Sequence, residues 1–303
     1  MKQSISYYLT LFIIRLKGIK KNFSEDPIDV FKVRKEDQHK PKGQFFKRNR
    51  LRSIEIADSV VTEVGLNKTS NQLVISIHGG AFISGPTQLH WDAVKKIATQ
   101  TAQKVWLCDY PKAPENQIGT ISENIYLIYQ KALEEFEPHN ISMIGDSVGG
   151  TLVVSLMQCL IKQTIKLPKQ IILISPVMDA SMTNSEIEAV EFRDPMLARK
   201  GVLSAKKLCA GKLELKDTLI SPLYGEFDRF PLTTIYAAEN DITYPDQKLT
   251  IEKLKESEVE VKVITGENMP HIWPLLPVMK EAELSFQLIV ESLKNKVTSH
   301  QKE

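Results

Sequence analysis

Short apolar runs alternate with helical patterns along most of the chain. Runs of this length and composition are typical of buried parallel strands, and they cover residues 73–77, 104–108, 141–144, 171–174, 234–238 and 259–264. Amphipathic patterns predict helices over residues 91–103, 122–136, 148–162, 246–257 and 277–293. Apolar and polar residues alternate over residues 52–64, which predicts one or two edge strands. This order predicts the α/β class, with a mostly parallel central sheet flanked by helices.

Two segments interrupt the alternation of strands and helices. Residues 180–215 contain two short helical patterns and a polar stretch between two strands, which indicates an insertion. Residues 1–45 precede the first strand pattern. We expect these two segments to form a helical cap, and residues 46–179 and 216–303 to form the two parts of the core.

The first of these segments begins with an amphipathic pattern. The apolar residues recur at helical spacing, and they are Ile5, Tyr8, Leu9, Phe12, Ile13 and Leu16. The apolar run that contains most of them, residues 7–14, is too short to span a bilayer. Arg15 and Lys17 follow it without a cleavage site of small residues, which disfavours secretion. We expect the apolar face to cover a substrate pocket, with peripheral contact to a membrane surface as the alternative.

Composition narrows the class of protein. The 303 residues are 42% hydrophobic and 25% charged, as in a globular enzyme, and the formal net charge is +2. Residues 1–60 carry 14 Lys/Arg against 7 Asp/Glu. We interpret the basic stretch 40–52 as solvated surface, because no nucleic-acid motif accompanies it, and nucleic acid is not expected as a partner. A homodimer stays open.

The three cysteines, Cys108, Cys159 and Cys209, have no spacing that suggests a disulfide framework or a zinc site. We therefore expect no metal, no cofactor and a reducing cytoplasmic location, with membrane-peripheral attachment as the exception.

One strand pattern runs directly into the sequence Gly145-Asp146-Ser147-Val148-Gly149 and then into an apolar helix. A G-x-S-x-G sequence in this context predicts a nucleophile elbow, in which the serine lies on a tight turn and glycines on either side avoid collisions. The helix that begins after Ser147 presents free N–H groups that suit an oxyanion, and Val148 would supply one of them. Alone, the pentapeptide fits a tight βα loop with Ser147 as an N-cap equally well.

A second glycine-rich segment, His78-Gly79-Gly80-Ala81, directly follows the strand pattern 73–77. Hydrolases with a nucleophile elbow need a second backbone donor from an earlier strand-to-helix loop, and sequences of the HGGG type provide it. Gly79 and Gly80 would let the backbone approach the substrate, and Ala81 could donate its N–H if its φ stays negative. His78 would hold the loop by hydrogen bonding and would not act as base.

The acid and base candidates follow the elbow in the order that such hydrolases use, serine, then acid, then histidine. Asp241 follows the strand pattern 234–238, and His271 lies in the loop after 259–264. Glu239 and Asp246 are rivals to Asp241 for the acid. Asp146 is too close to Ser147 to orient His271 and is assigned a supporting role.

The remaining histidines are not expected to take part in catalysis. They are His39, His90 and His139, which we expect at the surface, and His300 in the polar tail.

Several segments together resemble the hormone-sensitive-lipase-like esterases of the α/β-hydrolase superfamily. The similarity covers roughly residues 70–290 and rests on HGGAF at 78–82, DYPKAPE at 109–115, GDSVGG at 145–150, SPVMD at 175–179, AENDITYPD at 238–246 and MPHIW at 269–273. The departures from the family pattern are Ala81 in place of a third glycine, Val148 where alanine is common, and Lys112 within the second of these segments.

The resemblance implies the α/β-hydrolase fold with a helical cap, and roles for individual residues. Ser147 would be the nucleophile, Asp241 the acid and His271 the base, with oxyanion donors among Gly79, Gly80, Ala81 and Val148. In the family the donors are usually the residues that correspond to Gly80 and Ala81. The implied activity is hydrolysis of small carboxylic esters through an acyl-enzyme.

Two alternatives stay open at this point. The same triad could cleave an amide or formamide, because it attacks either carbonyl. A hydrolase fold can also bind a ligand without catalysis. We expect short- to medium-chain acyl esters, since Val148 and the cap both indicate a restricted site.

Overall fold

The computed structural model describes residues 3–49, 51–66 and 70–294. Its strands, in chain order, are β1 Arg52–Ile56, β2 Ser59–Val64, β3 Leu73–Ile77, β4 Lys104–Asp109, β5 Ile141–Asp146, β6 Gln170–Ile174, β7 Leu232–Asn240 and β8 Val261–Pro270. Its helices are α1 Ile5–Leu16, α2 Ile19–Asn22, α3 Val30–Val33, α4 Gln44–Arg48, α5 Gln88–Thr101, α6 Ile118–Glu135, α7 Val148–Lys162, α8 Ile187–Glu191, α9 Arg199–Ala210, α10 Tyr244–Glu256 and α11 Lys280–Lys294.

All of these strands belong to one sheet in the order β1-β2-β4-β3-β5-β6-β7-β8. The first two pairings, β1 with β2 and β2 with β4, are antiparallel, and every later pairing is parallel. The predicted α/β class is therefore confirmed, and residues 52–64 form two edge strands. Strands β5, β7 and β8 are parallel, so the residues that follow them lie at one edge of the sheet.

The interior strands are apolar because helices cover both faces of the sheet. Every residue of β5 and β6 is buried. Two hydrophobic clusters flank the sheet: one contains Met143, Leu152 and Leu173, and the other contains Ile144 and Ile172, the neighbouring residues along the same strands. Alternate residues of each strand therefore point to opposite faces.

The N-terminal segment and the insertion pack against each other. The N–H of Gly201 in α9 donates to the Phe23 carbonyl at 2.9 Å, and a Cβ on Gly201 would lie 2.0 Å from that oxygen. Ser204 Oγ accepts the N–H of Ile28 at 3.0 Å. Lys20 Nζ donates to the Asp194 carbonyl at 2.8 Å. These contacts support the proposed cap of residues 1–45 and 180–215.

Helix α1 forms as predicted, but its expected orientation is wrong. It buries Tyr7, Thr10 and Ile14, and the Tyr7 hydroxyl donates to the Asn268 carbonyl at 2.8 Å. The apolar residues that were expected to cover a pocket are exposed by 41 to 88%, and they are Ile5, Tyr8, Leu9, Phe12, Ile13 and Leu16. The helix lies against the core through a narrow side that contains a tyrosine and a threonine, so hydrophobic spacing alone pointed to the opposite face.

Candidate active site

Ser147 lies on a tight turn between β5 and α7. Its backbone has φ 53° and ψ −122°, and its side chain forms no capping hydrogen bond, so the N-cap interpretation of this serine is wrong. A Cβ on Gly145 would lie 2.5 Å from the Gly149 carbonyl oxygen, and one on Gly149 would lie 2.1 Å from the Ile77 oxygen. Both glycines are therefore required by close backbone approach, as expected for a nucleophile elbow.

The loop after β3 packs directly on the elbow through Gly79. A Cβ on Gly79 would lie 2.9 Å from Ser147 Cβ and 2.5 Å from Asp146 Oδ2. The Gly79 N–H donates to Asp146 Oδ2 at 3.0 Å. This amide is therefore occupied, so Gly79 serves close approach and does not fit the oxyanion-donor role considered for it.

Three other amides of the two loops are open to an oxyanion. The N–H groups of Gly80, Ala81 and Val148 have no hydrogen-bond acceptor among the residues that the structure describes. The expectation that Ala81 keeps a negative φ is wrong: its φ is 55°, and that of Phe82 is 65°. The turn is closed by the N–H groups of Ile83 and Ser84, which both donate to the Gly80 carbonyl at 3.0 Å, and this closure holds Ala81 in the left-handed region.

His78 stabilises the loop and does not act as a base. Its Nδ1 lies 2.5 Å from the Gly79 carbonyl oxygen, which requires the proton on Nδ1. Burial lowers the pKa of His78 well below its ordinary value, so the ring is neutral. The ring stacks on Tyr110 at a centroid distance of 4.4 Å, and the Tyr110 hydroxyl donates to the His78 carbonyl at 2.7 Å.

His90, expected at the surface, is 7% exposed and lies beside the elbow. The Thr87 N–H donates to its Nδ1 at 2.9 Å, so its Nε2 carries the proton and faces Asp146 Oδ2 at 3.4 Å. The expectation was wrong because its helical position faces the sheet. His39 and His139 are exposed as expected, and His300 lies outside the described residues.

Asp241 and His271 form a buried hydrogen-bonded pair. His271 Nδ1 donates to Asp241 Oδ2 at 2.7 Å, which leaves Nε2 unprotonated and able to accept a proton. The carboxylate also accepts the Thr243 N–H at 2.9 Å, the Thr243 hydroxyl at 2.8 Å and Gln247 Nε2 at 3.0 Å. Four donors hold the Asp241 carboxylate in one orientation.

The rival acids point elsewhere. Glu239 accepts the Asn268 N–H at 3.0 Å. Asp246 accepts Asn184 Nδ2 at 2.8 Å, and burial raises its pKa to about 6. Neither carboxylate forms a hydrogen bond with His271 in the described structure.

The segment after β6 joins the serine and histidine segments. The Ser147 N–H donates to the Ile174 carbonyl at 2.9 Å, and the Val177 N–H donates to the Ser147 carbonyl at 3.1 Å. The N–H of Ile272 donates to Ser175 Oγ at 3.0 Å. The backbone of Ser147 and the residue after His271 therefore bind the same short segment, 174–177.

The charge environment favours a basic imidazole. Burial lowers the pKa of His271, but the charge and hydrogen bond of Asp241, with further contributions from Asp194 and Asp146, outweigh this effect, so its pKa lies above the ordinary value. The imidazolium that forms when a base accepts a proton is stabilised in such surroundings.

Asp194 is a residue of the site that no sequence motif indicated. Its Oδ2 accepts the Ile242 N–H at 2.9 Å, and its Oδ1 accepts the N–H groups of Met196 and Leu197 at 2.7 and 2.8 Å. Burial raises its pKa to about 7. It thus joins the insertion to the residue that follows Asp241. In the sequence, Asp194 followed by Pro195 indicates only a turn, so it gave no sign of a role in the site.

Residues 3–49, 51–66 and 70–294 hold neither a metal-binding cluster nor a membrane-spanning helix. They contain no cluster of three or more His, Cys, Asp or Glu side chains arranged to hold a metal ion. They also contain no helix with the length and apolar character needed to cross a bilayer.

Comparison with known proteins identifies the family of this chain. Residues 74–275 match a family described as the alpha/beta hydrolase fold. An esterase from Acinetobacter venetianus is 29% identical over 220 residues, which are 71% of this chain and 73% of the relative.

Solved structures show the same fold. A Staphylococcus aureus protein proposed to be an esterase is 28% identical, has a TM-score of 0.81, and is matched over 89% of its length and 86% of this chain. An esterase of the bacterial hormone-sensitive lipase family is 22% identical with a TM-score of 0.84, over 97% of this chain and 99% of the other, which supports the fold alone. This chain belongs to the alpha/beta hydrolase fold family and, within it, to the carboxylic ester hydrolases similar to hormone-sensitive lipase.

Proposed function

We propose that the chain cleaves small carboxylic esters by a two-step acyl transfer in which Ser147 is the nucleophile, His271 the base and Asp241 the acid. The observation that carries the proposal is the buried Asp241–His271 hydrogen bond of 2.7 Å at the sheet edge where the elbow presents Ser147. A lone serine on a tight turn has no activated hydroxyl, whereas a neighbouring imidazole with a free Nε2 can accept its proton.

In the first step, the Ser147 Oγ attacks the ester carbonyl carbon while His271 Nε2 accepts the hydroxyl proton. The oxyanion that forms is held by the N–H groups of Gly80, Ala81 and Val148, and His271 then returns the proton to the leaving alcohol. In the second step, water attacks the acyl-enzyme with His271 again as base, which releases the carboxylic acid and regenerates the serine. Asp241 keeps the proton of the neutral imidazole on Nδ1 throughout.

The test uses Ser147→Ala with p-nitrophenyl butyrate and a fluorophosphonate label. We expect hydrolysis and labelling to be lost while the melting temperature stays within a few degrees of the wild type, because the side chain forms no capping hydrogen bond. An active variant, or a labelled one, would contradict the assignment.

Esters are favoured over amides because an alkoxide or phenoxide leaves without the prior protonation that an amine requires. A matched ester and anilide of the same acid measure this preference through kcat/KM. Lack of labelling in folded wild-type protein would instead support a ligand-binding role without catalysis.

We further propose that the exposed side of α1 contacts an anionic membrane surface. Three of its most exposed apolar side chains are Ile5, Phe12 and Leu16, exposed by 88, 58 and 71%, and Phe192 of the cap, beside the groove that α1 lines, is 78% exposed. An apolar helix side of this kind is typical of interfacial attachment.

The charge around this side favours an anionic lipid over a second copy of the chain. No acidic residue occurs before Glu25, while Arg15, Lys17, Lys21 and Arg193 are all exposed. A two-fold contact through α1 would bring these cations near their own copies, whereas each basic residue close to an anionic bilayer contributes about 1 kcal/mol of attraction.

Flotation of the full chain with vesicles tests this contact. We expect binding to vesicles of phosphatidylcholine with phosphatidylglycerol, weaker binding to phosphatidylcholine alone, and loss of both in the triple variant I5S/F12S/L16S. The control is L284S/L288S, which removes two exposed leucines from α11. The proposal fails if the wild type does not float, or if light scattering shows a dimer that the triple variant disrupts.

A further inference from the structure

A lysine lies fully buried in the cap beside the oxyanion loop. Lys206, on α9, has 0% exposure, and its Nζ forms no hydrogen bond with any described residue. Burying a charged or polar group without a partner is costly, so an amine retained in this position calls for a physical account. Its Nζ lies over the ring of Phe82, 4.3 Å from the ring centroid.

Phe82 connects this amine to the oxyanion loop. It directly follows Ala81, one of the oxyanion donors proposed above. Gly79 of the same loop packs against Ser147, with a built Cβ only 2.9 Å from the serine Cβ. The amine on α9 of the cap therefore lies against the residue that follows a proposed oxyanion donor, in the loop that packs on Ser147.

Asp179, the acidic residue whose charge acts on Lys206, does not neutralise it. Asp179 accepts from Ser181 Oγ at 2.8 Å and from the Tyr224 hydroxyl at 2.9 Å, and it forms no ion pair with Lys206 within the described structure. The Asp179 carboxylate already accepts hydrogen bonds from these two hydroxyls, whereas the Lys206 amine has no hydrogen-bond partner among the described residues. Burial lowers the pKa of Lys206 to about 7, with opposing contributions from Cys209 and Asp179.

Burial does not separate Lys206 from the site, because the catalytic candidates are buried as well. Ser147 is 8% exposed and His271 is 3% exposed. Ser147, His271 and Lys206 are therefore all shielded from solvent in this structure.

Resting on the ester hydrolysis proposed above, we propose that Lys206 binds an anionic group of the substrate, and that preferred substrates are esters that carry a free carboxylate under the cap. A carboxylate brought to Nζ would supply the missing partner and keep the amine protonated. The resulting charge-assisted hydrogen bond, formed at a buried amine, would hold the substrate by the end remote from the scissile ester.

The test compares monomethyl esters of glutaric, adipic and pimelic acids with methyl pentanoate, hexanoate and heptanoate. The rate of hydrolysis is measured from the methanol released. We expect Lys206→Met to lower the ratio of kcat/KM for the anionic over the neutral ester of matched length by about 10- to 100-fold, the range of one charge-assisted hydrogen bond. Methionine resembles the lysine stem and suits a buried site, so the neutral esters should be cleaved as well or better.

Lys207→Met is the matched control, because Lys207 is the next residue of α9 and is exposed. It should leave the ratio unchanged. An unchanged ratio in Lys206→Met would overturn the proposal. So would a wild type whose hydrolysis of methyl hexanoate is inhibited by the neutral hexanamide as strongly as by adipamate, its carboxylate-bearing counterpart, a measurement that needs no variant. Failure of the wild type to cleave any of the neutral esters would instead contradict the ester hydrolysis itself.

Discussion

His271 Nδ1 and Asp241 Oδ2 lie 2.7 Å apart in a region that water does not reach, since Asp241 has 0% exposure. The two residues come from loops after adjacent parallel strands, β7 and β8, so the sheet itself sets their separation. Orientation of the imidazole is the physical role of such an acid: the carboxylate fixes the proton on Nδ1 and stabilises the imidazolium.

Asp241→Asn should therefore lower kcat for p-nitrophenyl butyrate on the order of 10³- to 10⁴-fold, because an amide in this position can donate to Nδ1 and reverse the tautomer. Asp246→Asn is the matched comparison: its carboxylate is buried but bonds Asn184 and not His271. We expect that variant to keep kcat within about 10-fold, since it changes a structural hydrogen bond alone. Equal losses in the two variants would leave the acid unassigned.

The pH dependence of kcat/KM follows from the raised pKa of His271. The base acts in its neutral form, so activity falls as the pH drops through this pKa, and the acid-side midpoint should lie above the ordinary histidine value of about 6.5. Asp194→Asn removes a carboxylate that raises this pKa, and the midpoint should move to lower pH.

The shift should be modest, roughly a few tenths of a pH unit, because Asp194 is itself partly protonated near neutrality. Asp228→Asn, a change at an exposed residue, serves as control and should leave the midpoint in place. Initial rates measured by pH-stat avoid the titration of p-nitrophenol. A midpoint that rises in Asp194→Asn would contradict the electrostatic argument.

Sequence pattern predicted the core of this fold closely, but it did not predict the orientation of α1. Helix α7 begins and ends where predicted, because the elbow glycines and the apolar stretch after Ser147 leave one arrangement. Strand β8 continues to Pro270, beyond the predicted end at residue 264, because a polar stretch keeps its pairing with β7 across a register shift. A strand that is held by hydrogen bonds along a polar stretch shows no apolar run by which the sequence could reveal it.

The contacts that complete the site were less accessible to sequence reasoning. Asp241 and His271 could be placed because each follows a strand in the expected chain order. Asp194, Lys206 and His90 reach the site through tertiary packing, and no spacing in the chain distinguishes them from surface residues. The side of α1 that meets the core was misassigned for the same reason.

Gly79 allows the oxyanion loop to pack closely on the elbow, and its replacement separates geometry from chemistry. In Gly79→Ala the added Cβ would lie 2.5 Å from Asp146 Oδ2 and 2.9 Å from Ser147 Cβ. The loop must move, and displacement of oxyanion donors by even 1 Å costs on the order of 10²-fold in rate. We expect a loss of at least that size in kcat for p-nitrophenyl butyrate.

Gly119→Ala is the control, because a Cβ at this exposed position of α6 meets nothing within 4 Å. It should keep full activity and raise the free energy of unfolding by up to about 1 kcal/mol, the usual gain of alanine over glycine in a helix. A fully active Gly79→Ala enzyme would show that the loop does not need its present position for catalysis.

Docking of the N-terminal segment on the insertion depends on Gly201. Its N–H bonds the Phe23 carbonyl, and a Cβ there would lie 2.0 Å from the oxygen. Gly201→Ala must therefore push the two chain segments apart, and we expect about 1–3 kcal/mol lower stability, as for an overpacked contact. Trypsin should cleave the variant faster at Lys17, Lys20 or Lys21.

Lys200→Ala, at the preceding exposed position of α9, should leave both stability and cleavage unchanged. If residues 1–45 and 180–215 act together as a cap, Gly201→Ala should also raise KM for hexanoate esters more than for acetate esters, because the longer chain relies on the closed cavity. Loss of stability with an unaltered ratio of the two KM values would mean that the contact holds the fold and does not shape the acyl site.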